Sequence, residues 1–437
     1  MSRLQAGFAR LDITPSLGTY VQGYAKKRYA DGILDPILIT AVAFDNGEKR
    51  TVIISADLLG IGQFFVDQIR TLVAAAIGTE KEGVFFCCTH THLGPGITFG
   101  DKTVNPEYVE QFLKKVQDVA ILAVNDLAPA ELLFTQNLVH DVAFVRRFKM
   151  KDGKYKTNPG YKNPDVEYAD GEPDENVSLL IIKRENAPEI GIVNFQVHPD
   201  VIGGSKLSAD YPKFVRDTYE KLIENSRCMY INGAQGDTNH VDIRLGEDSC
   251  RGGYERAEYM GKKIALAAIS NYMLAVPIAG DEIGFAQKSI FVKYNKGRPE
   301  QIEDAMLTVK IWDEQGGKAA LPANTGVKNI KSLYEAKRIV TLMDLPDEGE
   351  LYLTAVRVGD VVFAGLPGEP FTDIGRQIKE NSKFSLTIPA CCANGYEGYF
   401  PMRSIYSKGG YECNTAKYVA GVAEMLIEAS TEIINSL

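Results

Sequence analysis

Apolar runs rich in β-branched residues alternate along this chain with segments whose apolar residues recur every three to four positions. Residues 38–44, 50–55, 83–89, 178–182, 190–197 and 228–232 read as strands bounded by turn residues. Between them, 64–76, 107–124, 211–224 and 254–274 carry the spacing of amphipathic helices. Such alternation predicts a layered α/β fold with a largely buried sheet. From about residue 280 the character changes. A longer strand is predicted at 283–292, polar helices at 299–313 and 330–343, strands at 351–358 and 361–364, and a closing helix at 416–434. The connection 150–175 is polar and long for a structureless loop, which predicts a functional loop or an insertion. With no internal repeat, residues 1–437 are expected to form a single domain, with a sub-boundary allowed near 280.

Several of the predicted strands stop abruptly at chemistry-bearing residues. "FFCCTHTHLGPG" runs from an apolar stretch into His90 and His92, then into a glycine-proline turn. Residues i and i+2 of a strand share a face, so the two imidazoles can enter one cavity at the strand's end, where open α/β sheets place their ligands. An H-x-H pair alone fits partnered or surface histidines as well as a metal. "GIVNFQVHPD" repeats the design with His198 and strengthens the metal reading. "VVFAGLPGEPF" puts Glu369 on a glycine-flanked turn, as a ligand, a solvated group or the cap of a helix starting near Phe371. "CCANGYEGYFPMRS" brings Tyr396 and Tyr399 after another apolar run, where packing is the ordinary role of tyrosine. His240 follows "INGAQGDTN" and can line the same cavity or bond within its loop, whereas His140 in "NLVHDV" reads as a surface or supporting residue. Asp12, Asp57 and Asp210 can either orient ligand histidines or fix turns and helix starts.

Composition narrows the function classes. A net charge of −9 argues against a duplex nucleic-acid partner and gives no attraction to anionic membranes. No stretch reaches the roughly 18 apolar residues that span a bilayer, and the first residues lack an apolar signal core. The seven cysteines are odd in number, include two adjacent pairs and show no C-x-x-C spacing, so they read as buried thiols of a reducing, cytoplasmic compartment.

The motifs "ARLDITP", "DPI" at 35–37, "SADLLG", "THTHLGPG", "FQVHP", "GAQGD", "LPGEPF" and "NGYEGY" together resemble, in their order, the neutral ceramidase family. The resemblance covers nearly the whole chain. It implies a large layered mixed β-sheet domain flanked by helices, and a zinc amidohydrolase of the kind that cleaves the N-acyl amide of ceramide. Carried over by motif, it implies one zinc per chain, held by His90, His198, Glu369 and Tyr399. His92 would handle substrate or proton, Arg146 of "FVRRF" would approach the substrate, and Tyr411 of "GGYEC" matches a second family tyrosine. Zinc so held activates water and polarises a carbonyl. His92 could then move a proton to the leaving amine, while Tyr411 or Arg146 stabilises the oxyanion.

The departures also matter. Asn239 stands where the family has a serine and His240 where it has a proline, so a serine-based mechanism is excluded at that position. The chain as given ends in a predicted helix, without the family's usual immunoglobulin-like domain. The expectation is a cytoplasmic zinc hydrolase for an amide of a small, water-soluble substrate rather than ceramide, with Asn239 and His240 near the substrate. No nucleic acid and no stable membrane association are expected, and a homo-oligomer is allowed. A metal enzyme for a sugar or glycoside, or a non-catalytic binding protein on the same fold, are the alternatives.

Overall fold

The computed structural model describes residues 4–97, 104–247, 251–315 and 327–437. In chain order the strands of its larger sheet are β1 (Gln5–Asp12), β2 (Leu38–Asp45), β3 (Arg50–Ala56), β4 (Val84–Cys88), β5 (Ala128–Leu138), β6 (Asn176–Arg184), β7 (Glu189–Phe195) and β8 (Ser226–Asn232). Across this nine-stranded sheet they run β8-β7-β6-β5-β1-β2-β3-β4, and the short β9 (Val276–Pro277) pairs with β5. A second sheet orders β10 (Ile283–Lys293), β11 (Glu348–Val358), β12 (Val361–Gly365) and β13 (Leu386–Ala390).

Strand periodicity sorts side chains into separate cores. Ile54 and Phe86 enter one, while their neighbours Ile53 and Phe85 enter the other. The first core lies under helices α1 (Gln63–Ile77), α2 (Pro106–Asn125), α3 (Tyr211–Leu222) and α4 (Tyr254–Ile269). The second is shared with Ile283, Val356, Phe363 and Ile388 of the smaller sheet. Between β10 and β11 the chain makes a helical excursion, α5 (Pro299–Glu314) and α6 (Leu333–Leu342), with a small core of its own around Ala305, Ala336 and Ile339. Helices α7 (Thr372–Asn381) and α9 (Val422–Ser436) cover the outer face of the smaller sheet, and the short α8 (Tyr411–Thr415) lies between them in sequence. The layers are therefore helix, sheet, sheet, helix. With both faces of β3 and β4 covered, continuous apolar runs are what these strands require.

Parallel pairing positions the site. β3–β4, β7–β8 and β12–β13 are parallel, and α1, α3 and α7 respectively cross over between their members. Each pair delivers its carboxyl ends to one edge of the sheet. The larger sheet also curls, bringing its two edges together. Ser55 Oγ on β3 donates to the Tyr230 carbonyl on β8 at 2.7 Å, and Asn232 Nδ2 donates to the Thr89 carbonyl at 3.2 Å. Beneath this seam Arg216 of α3 grips Asp57, just past β3, through two bonds of 2.8 and 2.7 Å.

The alternating core was legible in sequence; the less apolar elements were not. β1 and β5 escaped because each buries only three of its residues, out of 8 and 11, which dilutes the apolar signal. The polar connection 150–175 contributes to a small three-stranded sheet in which Arg147–Met150 lies between Tyr155–Thr157 and Val166–Ala169. The closing helix starts later than expected, at Val422, because Gly421 takes φ 107° and breaks the chain path from Ala416. Six of the seven cysteines are buried free thiols, and Cys250 lies outside the described residues. Among the described residues no helix is long and apolar enough to cross a membrane.

Candidate active site

Thr89 follows β4 directly, and there the chain turns sharply. His90 takes φ 72°, a left-handed conformation uncommon for a residue with a side chain. Two backbone-directed bonds hold it: its N–H donates to the Leu58 carbonyl at 2.9 Å, and Nδ1 lies 2.7 Å from the Leu59 carbonyl. Bonding at Nδ1 fixes the tautomer and leaves Nε2 facing His198 and Glu369. His198 arrives from the end of β7, and its Nε2 stands 3.3 Å from that of His90. The ring nitrogens of His90, His92 and His198 come within 4.8 Å of one another, and all three residues are buried.

Glu369 joins them from the turn after β12. Its Oε2 lies 3.3 Å from His90 Nε2 and 3.5 Å from His198 Nε2. Its other oxygen accepts the Tyr396 hydroxyl at 2.7 Å. The strand pair Glu369–Pro370 and Tyr399–Phe400 fixes this turn, and Gly236 allows it to sit so close: a Cβ there would come 2.4 Å from the Glu369 carbonyl oxygen. Burial opposes ionisation of Glu369, yet the charge and hydrogen bond of His90, then His198 and Tyr396, hold its carboxyl well below the usual range. Burial pushes His92 down to about 4, so its imidazole is neutral at neutral pH.

The donor set fits a metal ion. Ligand atoms on a tetrahedral zinc at about 2.0–2.1 Å stand about 3.3–3.4 Å from one another. His90 Nε2, His198 Nε2 and Glu369 Oε2 form a triangle with sides of 3.3, 3.3 and 3.5 Å. Among the described residues, Glu369 Oε2 has no well-aligned hydrogen-bond donor and neither nitrogen of the buried His92 has a hydrogen-bond partner, although Asp200 lies 3.8 Å from His92 Nδ1. Buried polar atoms left in this way are costly unless something binds them. The buried group can hold a metal ion.

A second constellation borders the first. Arg146 is buried, donates through Nη2 to the Gly236 carbonyl at 2.7 Å, and lies 5.3 Å from the Tyr399 ring and 5.9 Å from the Tyr411 ring. The Tyr399 and Tyr411 rings meet edge to face with centroids 5.6 Å apart, beside the Arg146 guanidinium. Burial, with Glu369 nearby, raises both tyrosine hydroxyls, which therefore stay protonated donors. Asp237 of "GAQGD" bonds the backbone and hydroxyl of Thr372 and so ties the Arg146 loop to the start of α7. That helix begins where the sequence suggested, but the side chain at its start is Asp237, and Glu369 turns to the histidines instead.

The remaining candidates divide. Asn239 donates to Asn158 Oδ1 at 2.9 Å and accepts the Val241 N–H at 3.0 Å, which couples it to the connection before β6. His240 is buried, with no hydrogen bond to Nδ1 among the described residues. Asp57 pairs with Arg216, Asp12 fixes the turn at Thr14, and Asp210 accepts the backbone N–H groups of Val201, Ile202 and Tyr211, shaping the loop after His198. His140 is exposed and bonds Glu175 at 2.6 Å. Sequence reasoning gave no role to Tyr396 or Glu412. The first was hidden among packing tyrosines; the second had only its place after Tyr411 to mark it.

No protein-family model and no curated protein matches the chain. Solved structures do. A neutral ceramidase from Pseudomonas aeruginosa superposes with a TM-score of 0.75 at 17% identity, covering 99% of this chain and 74% of that one. A ceramidase complexed with C2 gives a TM-score of 0.72 at 17% identity with the same coverage. The fold is ceramidase-like. Its layered α/β architecture agrees with the sequence expectation, and the histidines and Glu369 lie where the parallel strands of that architecture end.

Proposed function

We propose that this protein is a zinc-dependent hydrolase that cleaves the carbon–nitrogen bond of a small amide, with one zinc per chain. The observation that carries the reading is the triangle of His90 Nε2, His198 Nε2 and Glu369 Oε2, whose sides match the edges of a tetrahedral zinc site. The likeness to ceramidases supports an amide as the bond to test first.

His90, His198 and Glu369 are the proposed ligands. Tyr399 is the proposed fourth, as the motif resemblance implies, and its backbone pairs directly with that of Glu369. Zinc bound there supplies a Lewis acid and a water of lowered pKa. The protein supplies the rest. Neutral His92, with neither nitrogen hydrogen-bonded among the described residues and Asp200 3.8 Å from Nδ1, takes a proton and returns it to the leaving nitrogen. Arg146 and protonated Tyr411 donate to the oxygen that becomes negative as the carbonyl turns tetrahedral. Asn239 and His240 border the substrate. The working environment is the cytoplasm, in keeping with six buried free thiols, and the substrate is a soluble molecule rather than a nucleic acid or a membrane component.

The test begins with protein purified without added metal or a chelating tag. It compares metal content with the His198→Ala variant, then screens amides (ceramide included), esters, glycosides and sugars. About one zinc per chain, lost in the variant, together with turnover of an amide, is the expected result. A wild-type protein that stays metal-free after zinc is supplied would overturn it, as would turnover left intact in both His90→Ala and His198→Ala.

A further inference from the structure

Glu412 lies wholly inside the protein, one residue after Tyr411. A buried carboxylate is costly unless its partners are close, and here two arginines supply them. Glu412 Oε1 is 2.9 Å from Arg146 Nε, and Oε2 is 2.8 Å from Arg147 Nη1. The Thr157 hydroxyl donates to Oε2 at 2.9 Å. Arg147 continues to the Gly409 carbonyl at 2.8 Å and to Asp170 at 3.5 Å. One carboxylate thus joins three parts of the chain: the Arg146 segment, the small three-stranded sheet through Thr157, and the helix that begins with Tyr411.

The two arginine contacts differ in kind. Arg147 donates a directed hydrogen bond to Glu412. The Arg146 Nε–H is not aligned with Glu412 Oε1 despite the short distance, so that attraction is Coulombic. Arg146 is left with Nη2 on the Gly236 carbonyl and its guanidinium beside Tyr399 and Tyr411. Without Glu412, the planar group would be held by one carbonyl bond and its contact with Tyr399.

We propose that Glu412 is a positioning residue: its carboxylate holds the Arg146 guanidinium beside Tyr411, and its place in the chain sets Tyr411 at the same time, so that both are presented together to an oxyanion. The proposal rests on the reading of Arg146 as a donor to the reacting oxygen. Its other face is that the small three-stranded sheet, through Thr157, is mechanically joined to this pair.

Binding of inorganic phosphate to the zinc-loaded protein, measured by calorimetry, separates positioning from charge. Glu412→Gln keeps the shape and removes a negative charge next to Arg146. If charge alone mattered, the more positive site would bind phosphate more tightly. Positioning gives the opposite sign, with affinity lowered by about tenfold or more and zinc content unchanged. Equal or tighter binding would overturn the proposal. Glu412→Asp, which keeps the charge but shortens the reach, carries the test if the Gln variant does not fold; weaker binding is expected, and wild-type affinity would overturn it. A wild-type holoprotein that binds no phosphate would overturn it too, because Arg146 would then not be offered to an anion. The hydrolase reading is judged apart from this, by the turnover screen.

Discussion

The Nε2 atoms of His90 and His198 stand 3.3 Å apart across 108 positions of sequence. Neither histidine is near the other in the sheet order, since β4 is an edge strand and β7 lies toward the opposite side. The curl that brings Asn232 to Thr89 closes that gap. With Glu369 as the third corner, the pair makes a compact donor set.

Zinc should therefore stabilise the folded protein, because the unfolded chain cannot assemble these corners. At zinc concentrations about a hundredfold above the dissociation constant the gain is about 2.7 kcal/mol. A rise in melting temperature on adding zinc, absent in Glu369→Gln, is the expected outcome of a thermal scan. Equal rises in both proteins would place the zinc elsewhere.

Tyr396 donates to the Glu369 oxygen that faces away from the histidines, at 2.7 Å. Removing such a support costs a metal site about 10- to 100-fold in affinity. Tyr396→Phe should show that loss in a competition titration against a chromogenic chelator, with its melting temperature in metal-free buffer little changed.

The Asp57–Arg216 pair is almost wholly buried. Breaking one side leaves a stranded charge, so Asp57→Ala should lose about 3–5 kcal/mol in urea unfolding. Replacing both residues by apolar ones of similar size should cost less than either single change. If the double variant is the worst of the three, the pair is contributing more than its burial costs.

His240 makes stability depend on pH. Burial pushes its pKa down from 6.5 to about 4. Above pH 6.5 the ring is neutral in both states. As pH falls toward 4 the unfolded chain takes a proton that the folded protein refuses, and stability drops by a total of about 3 kcal/mol. His240→Asn should therefore lose less stability than wild type between pH 6.5 and 4.5, as read by unfolding at the two pH values. Parallel pH profiles would show that His240 accepts its proton in the folded state.

The residues of the site were more legible than its wiring. His90, His92 and His198 were marked by apolar runs that end in polar turns, and Glu369 by glycines around a carboxylate. Tyr396 carried no such mark, because a tyrosine beside a turn looks the same whether it packs or holds a ligand. Glu412 looked like one charged residue of a polar stretch, and only burial among two arginines gives it meaning. Asn239 was expected beside the substrate, and its amide is joined to Asn158 instead of standing free.

By itself the sequence determined the layered α/β class, the strands of the buried core and the strand ends that carry the candidate site. It could do so because periodicity and turn residues act over a few neighbouring positions. Tertiary structure decided which strand ends meet, which face of each side chain reaches the centre, and which charges are buried together. Those outcomes depend on the curl of the larger sheet and its packing on the smaller one, through contacts between residues hundreds of positions apart. No local pattern encodes them.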